Sequence, residues 1–577
     1  MKKILLPALF ALAIATSPAS VQAQCPATGT VISVGTGTPA KSGFDITAST
    51  TWTRNNIYLL NGAVYVNNGV TLTIEPGTII KGDLTNQGAL IIRQGGRINA
   101  VGTPTQPIVF TSNQPAGSRA PGDWGGVIIC GRAPVNLPGN PTIEGGVVAN
   151  FGGTDPLDNS GTLQYVRIEY GGVAFALNNE INGLTLGGVG AGTTIDHVQV
   201  TGSGDDSFEW FGGTVNAKYL ISLGATDDDF DTDNGFSGRV QYGLSVRDPR
   251  RGDTASGGVS NGFESDNDAT GTTNTPTTSA VFSNMSIFLP PTPAAASPFS
   301  NSDGALIRRG SSESIFNSVF IGRPYGVELN SNSSNLTTAN AANGGLVLAN
   351  NVFAGYGTPG RVARVTSNSG TTAGFSINTF VGSSNDTTRT VAALGLNADN
   401  FSFEGNCGAN RQCAPAFNLP TGSLLNTGAA FTSAKLTSTG TGVNSTFDVV
   451  TYRGAFGSTN WATGWTNFNP QITCYNVAGQ TLANREEVNA PLQALTVSPN
   501  PTEGAAATLG FDVKTATTAT VRVLDMMGRE VAVVLNGGKL SAGPQRLMLP
   551  ASLAPGMYVA TVATGDAVQS VRFVVSK

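Results

Sequence analysis

The chain has 577 residues, only 12% of them charged, and a formal net charge of −5. There is no basic excess to neutralise phosphates, so nucleic acid is excluded as an expected partner. The length would suit about three to four ordinary domains, but 74 glycines and abundant Thr, Ser and Asn point to many short strands and tight turns. A solenoid, which grows by adding coils, reaches such a length without a large single core.

Residues 1–23 read as a secretory signal: Lys2 and Lys3 form the charged start, Ile4 to Ala15 the apolar run, and Val21-Gln22-Ala23 the small-residue cleavage site. The expected destination is the cell exterior or the outer cell surface, by way of the periplasm. The apolar run is too short to span a bilayer, and no later stretch is long enough, so no transmembrane segment is expected in the mature protein. Gln24 is larger than the residue a lipid-anchored Cys25 requires before it. Of the five cysteines, Cys407 and Cys413 flank a short Gly/Asn loop that a disulfide would close. Cys130, beside Val127-Ile128-Ile129, reads as a buried thiol.

From residue 24 to 474 the chain reads as an all-β, right-handed parallel β-helix with capping segments. Leu72 to Ile80 aligns with Leu90 to Ile98 at an offset of 18, which predicts stacked rungs with Leu72, Ile74 and Ile80 inside one and Leu90, Ile92 and Ile98 inside the next. Val166 and Val198 are 32 apart, and Val198 and Leu220 are 22 apart. Asn284, Asn317 and Asn350 recur every 33 residues, which predicts a ladder of stacked amides. Ile377 to Phe380 reads as a further rung. The unequal periods send loops out of one side, with 114–121, 247–261 and 270–278 as candidates for a binding face. After residue 385 the signal fades. Trp461, Trp465 and Phe468 are expected either to cap the last open coil or to stack on sugar rings. Residues 475–491 read as a polar linker.

Residues 492–577 show regular short strands and turn signals, which predict a small β-sandwich. The motifs are Pro499-Asn500-Pro501, Asp525-x-x-Gly528-Arg529-x-Val531, Leu553-x-x-Gly556-x-Tyr558 and the final strand ending at Lys577. Together they resemble the C-terminal sorting domain of the type IX secretion system. That resemblance implies passage through the outer membrane, with the secretion machinery and a sortase as partners, and release of the product or its attachment to surface lipopolysaccharide. The remainder resembles β-helix surface proteins that carry this tail, through Glu75-Pro-Gly-Thr78, Gly122-Asp-Trp-Gly-Gly126, Gly204-Asp-Asp206, Asp231-Thr-Asp-Asn-Gly235 and Tyr452-Arg-Gly-Ala-Phe456.

One pattern carries chemistry. Phe208-Glu209, Phe230-Asp231 and Phe263-Glu264 repeat along the coils. Alternation along a strand puts the three Phe inside and Glu209, Asp231 and Glu264 outside, with Asp233 and Asp266 two places on. Asp205 and Asp206 precede Asp227 and Asp228 by 22 residues and form a second column, beside Asp229. Stacked strands lie about 4.8 Å apart. Two carboxylates at that distance repel by roughly 1 kcal/mol in water and roughly 3.5 kcal/mol at an effective dielectric near 20. The repulsion demands raised pKa values, neighbouring Arg residues or a hard cation, for which calcium is the candidate. The EF-hand pattern begun at Asp229 fails at Asn234 and Val240.

Three function classes follow. The first is binding or adhesion to extracellular polysaccharide or another surface. The second is catalysis resembling the pectin-active β-helix enzymes. Glycoside hydrolysis would use Asp205 and Asp206 with Asp231 or Asp233. Calcium-dependent elimination would use Arg239, Arg308 or Arg309 as base. The third is a structural surface coat. The chain's single histidine, His197, gives little support to a Ser-His or Cys-His nucleophile.

Overall fold

The computed structural model describes residues 25–37, 43–176, 179–253, 259–289, 302–322, 324–331, 335–367, 370–401, 415–482, 492–503, 507–513, 516–525, 529–564 and 567–576. The signal sequence, Cys407, Cys413 and Gly528 therefore lie outside the described residues. The chain forms two compact units, 1–485 and 486–577.

The first unit is a parallel β-helix built from an 11-stranded and a 16-stranded sheet. Its first coil carries β1 (Val31–Val34), β2 (Phe44–Ile46) and β3 (Thr50–Trp52). A later coil runs from Leu184–Val189 on the smaller sheet to Thr194–Thr201 on the larger, turns a corner, and returns to the smaller sheet at Phe208–Gly213. Val166 pairs with Val198 and Val198 with Leu220, as the spacings require. Phe208, Phe230 and Phe263 are fully buried and stack at centroid distances of 5.6 and 5.4 Å.

The offset of 18 is not the stacking register. Leu72 pairs with Ile98, and Leu90 with Val64 and Val127. The true coil length there is 26 residues, and the offset of 18 compares two different faces of the winding, with the strand Ile79–Gly82 between them. All six side chains are still core. Gly77 and Gly95, with φ of 80° and 75°, give those two faces the same turn and hence the same sequence pattern.

The long strands of the larger sheet bend at one left-handed residue per coil. Tyr165, His197, Tyr219, Tyr242, Asn284, Asn317 and Asn350 occupy this column, each with φ between 51° and 66°. A left-handed non-glycine residue costs roughly 1–2 kcal/mol. Ring stacking at 4.4, 4.3 and 4.9 Å from Tyr165 through His197 and Tyr219 to Tyr242 offsets that cost. Asn tolerates the conformation on its own. The expected amide ladder is therefore corrected: Asn284 and Asn317 donate instead to the carbonyls of Tyr452 and Ala430. A ladder does run one residue further on, where the N–H groups of Ser318 and Asn351 donate to Asn351 Oδ1 and Asn385 Oδ1, each at 2.9 Å.

Residues 377–382 form a short helix instead of a rung, with Ser376 capping the N–H of Thr379. Val381 is part of the core, and Phe375, Ile377 and Phe380 pack against it, so this helix closes the C-terminal end. Trp461, Trp465 and Phe468 therefore do not cap the last coil, and Trp465 and Phe468 are too buried to stack on sugar. They belong to a return segment, 415–482, that covers the outer face of the larger sheet over Ile221, Leu223, Leu244, Val246, Val319 and Val352. Its contacts run backwards along the coils. Ala430 meets Asn317, Asp448 meets Gln241, and Asn467 meets Gln199, each through two exchanged hydrogen bonds. Cys474 ends the run in a disulfide with Cys25. Residues 475–482 are accordingly not linker: Tyr475 and Leu482 are buried on Ile57, Ile79 and Val109. Cys130 is free and buried.

The second unit has a three-stranded and a five-stranded sheet around a core that includes Leu509, Val521, Ala560 and Phe573. No helix among the described residues is long and apolar enough to cross a membrane.

Candidate functional site

The acidic site lies where the corner after the larger sheet meets the smaller one. The corner repeats as Asn182, Asp206, Asp228 and Asn261, and each side-chain oxygen accepts the backbone N–H of the coil above. Asp206 N–H donates to Asn182 Oδ1 at 3.2 Å, Asp228 N–H to Asp206 Oδ1 at 2.7 Å, Asn261 N–H to Asp228 Oδ1, and Asp303 N–H to Asn261 Oδ1 at 2.9 Å. Short Asp and Asn side chains satisfy corner N–H groups in this way. On the adjoining strands Glu209, Asp231 and Glu264 are in register, held outward by the inward phenylalanines.

The two columns converge. Asp205, Asp206 and Asp227 form one group, Asp206, Glu209 and Asp231 a second, and Asp228, Asp231 and Glu264 a third. Within each group the oxygens lie within 4.8 Å of one another. Asp206 and Asp231 are each shared by two groups, so seven carboxylates form one connected array. Among the described residues, Asp227 Oδ1 and Asp231 Oδ1 are buried and accept no hydrogen bond.

The other three acids of the expected set stand apart. Asp229 is fully buried and pairs with Arg247 Nε at 3.1 Å while accepting from Ser222 and Ser245. Asp233 accepts its neighbour's N–H from Asn234 at 2.5 Å. Asp266 is held by Arg308 Nε at 2.9 Å and by Arg309 at 2.5 Å. Arg308 also contacts Glu264. Glu144, on the loop 131–160, and Asn182 were not visible as site residues in the sequence. Asn182 Nδ2 donates to Glu144 Oε1 at 3.2 Å and to Glu209, and the two carboxyl groups bond to each other. Only an Asn in phase with Asp206 at the same corner could have flagged Asn182. Glu144 sits in a loop with no repeat.

Burial, followed by the charge of neighbouring carboxylates, pushes Asp205, Asp206, Glu209, Asp227, Asp231 and Asp233 well above the ordinary carboxylate range. Burial raises Asp228 to about 8, with Asp227 adding to it. It also raises Glu264 to about 8, against the pull of Arg308, and Glu144 to about 7. For Arg308, burial opposes the charge, but Glu264 and Asp266 outweigh it and hold the guanidinium more firmly charged than usual. The array therefore retains protons near neutral pH, or it exchanges them for a cation. An all-oxygen donor set with two unsatisfied oxygens fits calcium chemistry.

Residues 44–405 match the family described as the pectate-lyase-like β-helix domain. The chain belongs to this family. The matched pectate-lyase-like region contains the whole acidic array and ends ahead of the described return segment and the second unit. No curated protein matches the chain.

In the second unit, the tail motif residues sit at turns and strand ends. Asn500 accepts the N–H of Val574 at 2.9 Å and donates to the carbonyl of Arg572. Pro499 and Pro501 flank it on an exposed bend. Asp525 pairs with Arg529 at 2.8 Å across a hairpin. The Tyr558 hydroxyl donates to the Ala554 carbonyl at 2.8 Å, two residues from Gly556.

Proposed function

We propose that this protein is a secreted, surface-presented β-helix that binds acidic polysaccharide through calcium held at the acidic corner. The observation behind the reading is the connected array of seven carboxylates on the flank of a pectate-lyase-like coil. Asp206, Glu209, Asp228, Asp231 and Glu264 would hold the ion. Bound calcium supplies positive charge that offsets the mutual repulsion and offers open coordination positions to a uronate carboxylate.

Retention fits the geometry better than turnover. An elimination needs a neutral base, but Arg308 and Arg309 are tied to Glu264 and Asp266. Arg239 lies under the return segment, bonded to Ser438 and stacked on Phe447. The test is retention of soluble pectin or alginate on immobilised protein, with calcium and with chelator. Calcium-dependent retention without new unsaturated uronate is expected, and equal retention in chelator contradicts the reading. Glycoside hydrolysis is a second reading, since a carboxyl group protonated near pH 7, as burial makes Glu144, can serve as general acid. Glu209 bonds to it directly and is too close to be the second carboxylate, which would stand at least about 5 Å away. New reducing ends, lost in Glu144→Gln, would select it.

We infer that the second unit is the type IX sorting domain. The reading is supported by Asn500, Asp525 and Tyr558, each of which fixes a turn or a strand end. Deletion of 492–577 should leave the protein in the periplasm, and normal export of the deletion variant would contradict it.

A further inference from the structure

A cavity of about 470 Å³ opens beside the smaller sheet, between the turns that follow Ala63–Val66 and Ala89–Ile92 and the loop 131–160. It stands apart from the acidic corner. Ile91, two residues before Arg93 of its lining, lies three coils from Glu209 in the paired register, about 14 Å at 4.8 Å per coil. The loop serves both places, bringing Glu144 to the corner and Val148 and Asn150 to the cavity.

The polar groups of the lining are fixed by the protein itself. Arg93 lies over the Tyr65 ring at 4.0 Å, and its Nη1 donates to Asp45 at 2.9 Å and to Asn67 Oδ1 at 2.7 Å. Gln94 Nε2 donates to the carbonyls of Gly131 and Gly152 at 3.1 and 2.6 Å. Asn150 Nδ2 donates to the Asn140 carbonyl at 2.8 Å, and Arg132 Nη2 donates to Asn68 Oδ1 at 3.0 Å. Each bond uses one end of a lining side chain. Among the described residues, the other ends have no protein partner: Arg93 Nη2, Asn67 Nδ2 and Asn68 Nδ2 are donors, and Gln94 Oε1 and Asn150 Oδ1 are acceptors. Val148 adds an apolar surface. It is 56% exposed, yet its N–H donates to the Tyr65 hydroxyl at 3.1 Å and its carbonyl accepts from Arg93 Nε at 3.3 Å.

This donor and acceptor mixture selects the ligand's chemistry. A carboxylate or phosphate only accepts, so it would meet Gln94 Oε1 and Asn150 Oδ1 unfavourably, whereas a hydroxyl both donates and accepts. Asp45 already supplies the counter-charge for Arg93. A sugar ring carries hydroxyls around an apolar C–H face, which an exposed valine can cover. The volume falls within the roughly 300–1,000 Å³ of small-molecule sites, and groups already held in place lose little freedom on binding. We propose that this cavity is a binding site for neutral, hydroxyl-rich sugar units, independent of calcium and of the acidic corner.

The test is saturation-transfer NMR of the full chain without its signal, in chelator, with neutral trisaccharides of glucose, galactose and mannose as probes. Transfer to at least one of them is expected, with half-saturation near about 1 mM, the affinity of a small ligand in an open site. Val148→Glu puts a charge over the apolar surface and should weaken binding about tenfold or more with an unchanged circular dichroism spectrum. If that variant misfolds, Asn68→Ala, at another exposed position, serves instead and should weaken binding at least threefold. Three results overturn the proposal. One is no transfer to any of the three sugars at concentrations up to about 20 mM. The second is binding indifferent to both variants. The third is binding that appears only when calcium is restored, which would place the sugar at the acidic corner.

Discussion

Raising the pH in the presence of chelator should destabilise the β-helix, and calcium should abolish that effect. Glu144, with a pKa of about 7, and Asp228 and Glu264, at about 8, bind their protons more tightly in the folded chain than in the unfolded one. The stability each contributes is whole below the ordinary carboxylate pKa and is lost as the pH rises through the folded value. The relevant window is therefore about pH 6 to 9. Each pH unit between pH 6 and a group's folded value is worth about 1.4 kcal/mol per proton, so Glu144 at about 7 and Asp228 and Glu264 at about 8 together lose about 7 kcal/mol. Unfolding entropy of about 2.1 cal/mol/K per residue, over about 460 residues of the mature first unit, makes 1 kcal/mol worth about 1 °C. The three protons then correspond to a fall of about 7 °C in Tm across the window. The assay is differential scanning calorimetry at pH 6, 7.5 and 9, in chelator and in millimolar calcium. A Tm that ignores pH in chelator, or falls equally in calcium, would refute the reasoning.

Other perturbations read other parts of the fold. Cys25→Ser/Cys474→Ser frees the end of the return segment and opens a closure spanning 449 residues. It should cost about 2–5 kcal/mol, read from the denaturant midpoint. Phe230→Ala removes the middle ring of the Phe208–Phe230–Phe263 stack and should cost about 3–5 kcal/mol in equilibrium unfolding. Arg308→Ala strips the partner from Glu264 and Asp266. It should destabilise by about 3–5 kcal/mol at pH 8 and by less at pH 5, where the Glu264 carboxyl, raised to about 8, is protonated.

The legible parts of the fold were those where the period was undisturbed. Phe208 and Phe230 are one 22-residue coil apart, with one strand, Ala217–Leu223, and two short turns between them and no long loop, so their stacking and the outward acids could be read directly. The offset of 18 misled because two different turns of the winding, at Gly77 and Gly95, share the same strand-glycine-strand pattern. The return segment was invisible because it has no period of its own. Its trace lay in the strands it covers: Leu220 to Leu223 is buried on both faces, where a solvated face would alternate. Asp229 looked equivalent to Asp228, yet it turns inward to Arg247, a difference set by the corner's geometry and not by residue type. Glu144 reaches the site from a non-repeating loop, which only the folded chain brings near.

Calorimetric titration of calcium at pH 8, repeated in buffers of different ionisation enthalpy, bears most directly on the acidic corner. A saturable heat that changes with the buffer is predicted, because an entering cation must expel protons held by the crowded carboxyls, and Asp231→Asn should weaken it. No heat in any buffer, or a heat unchanged in Asp231→Asn, would contradict the proposal.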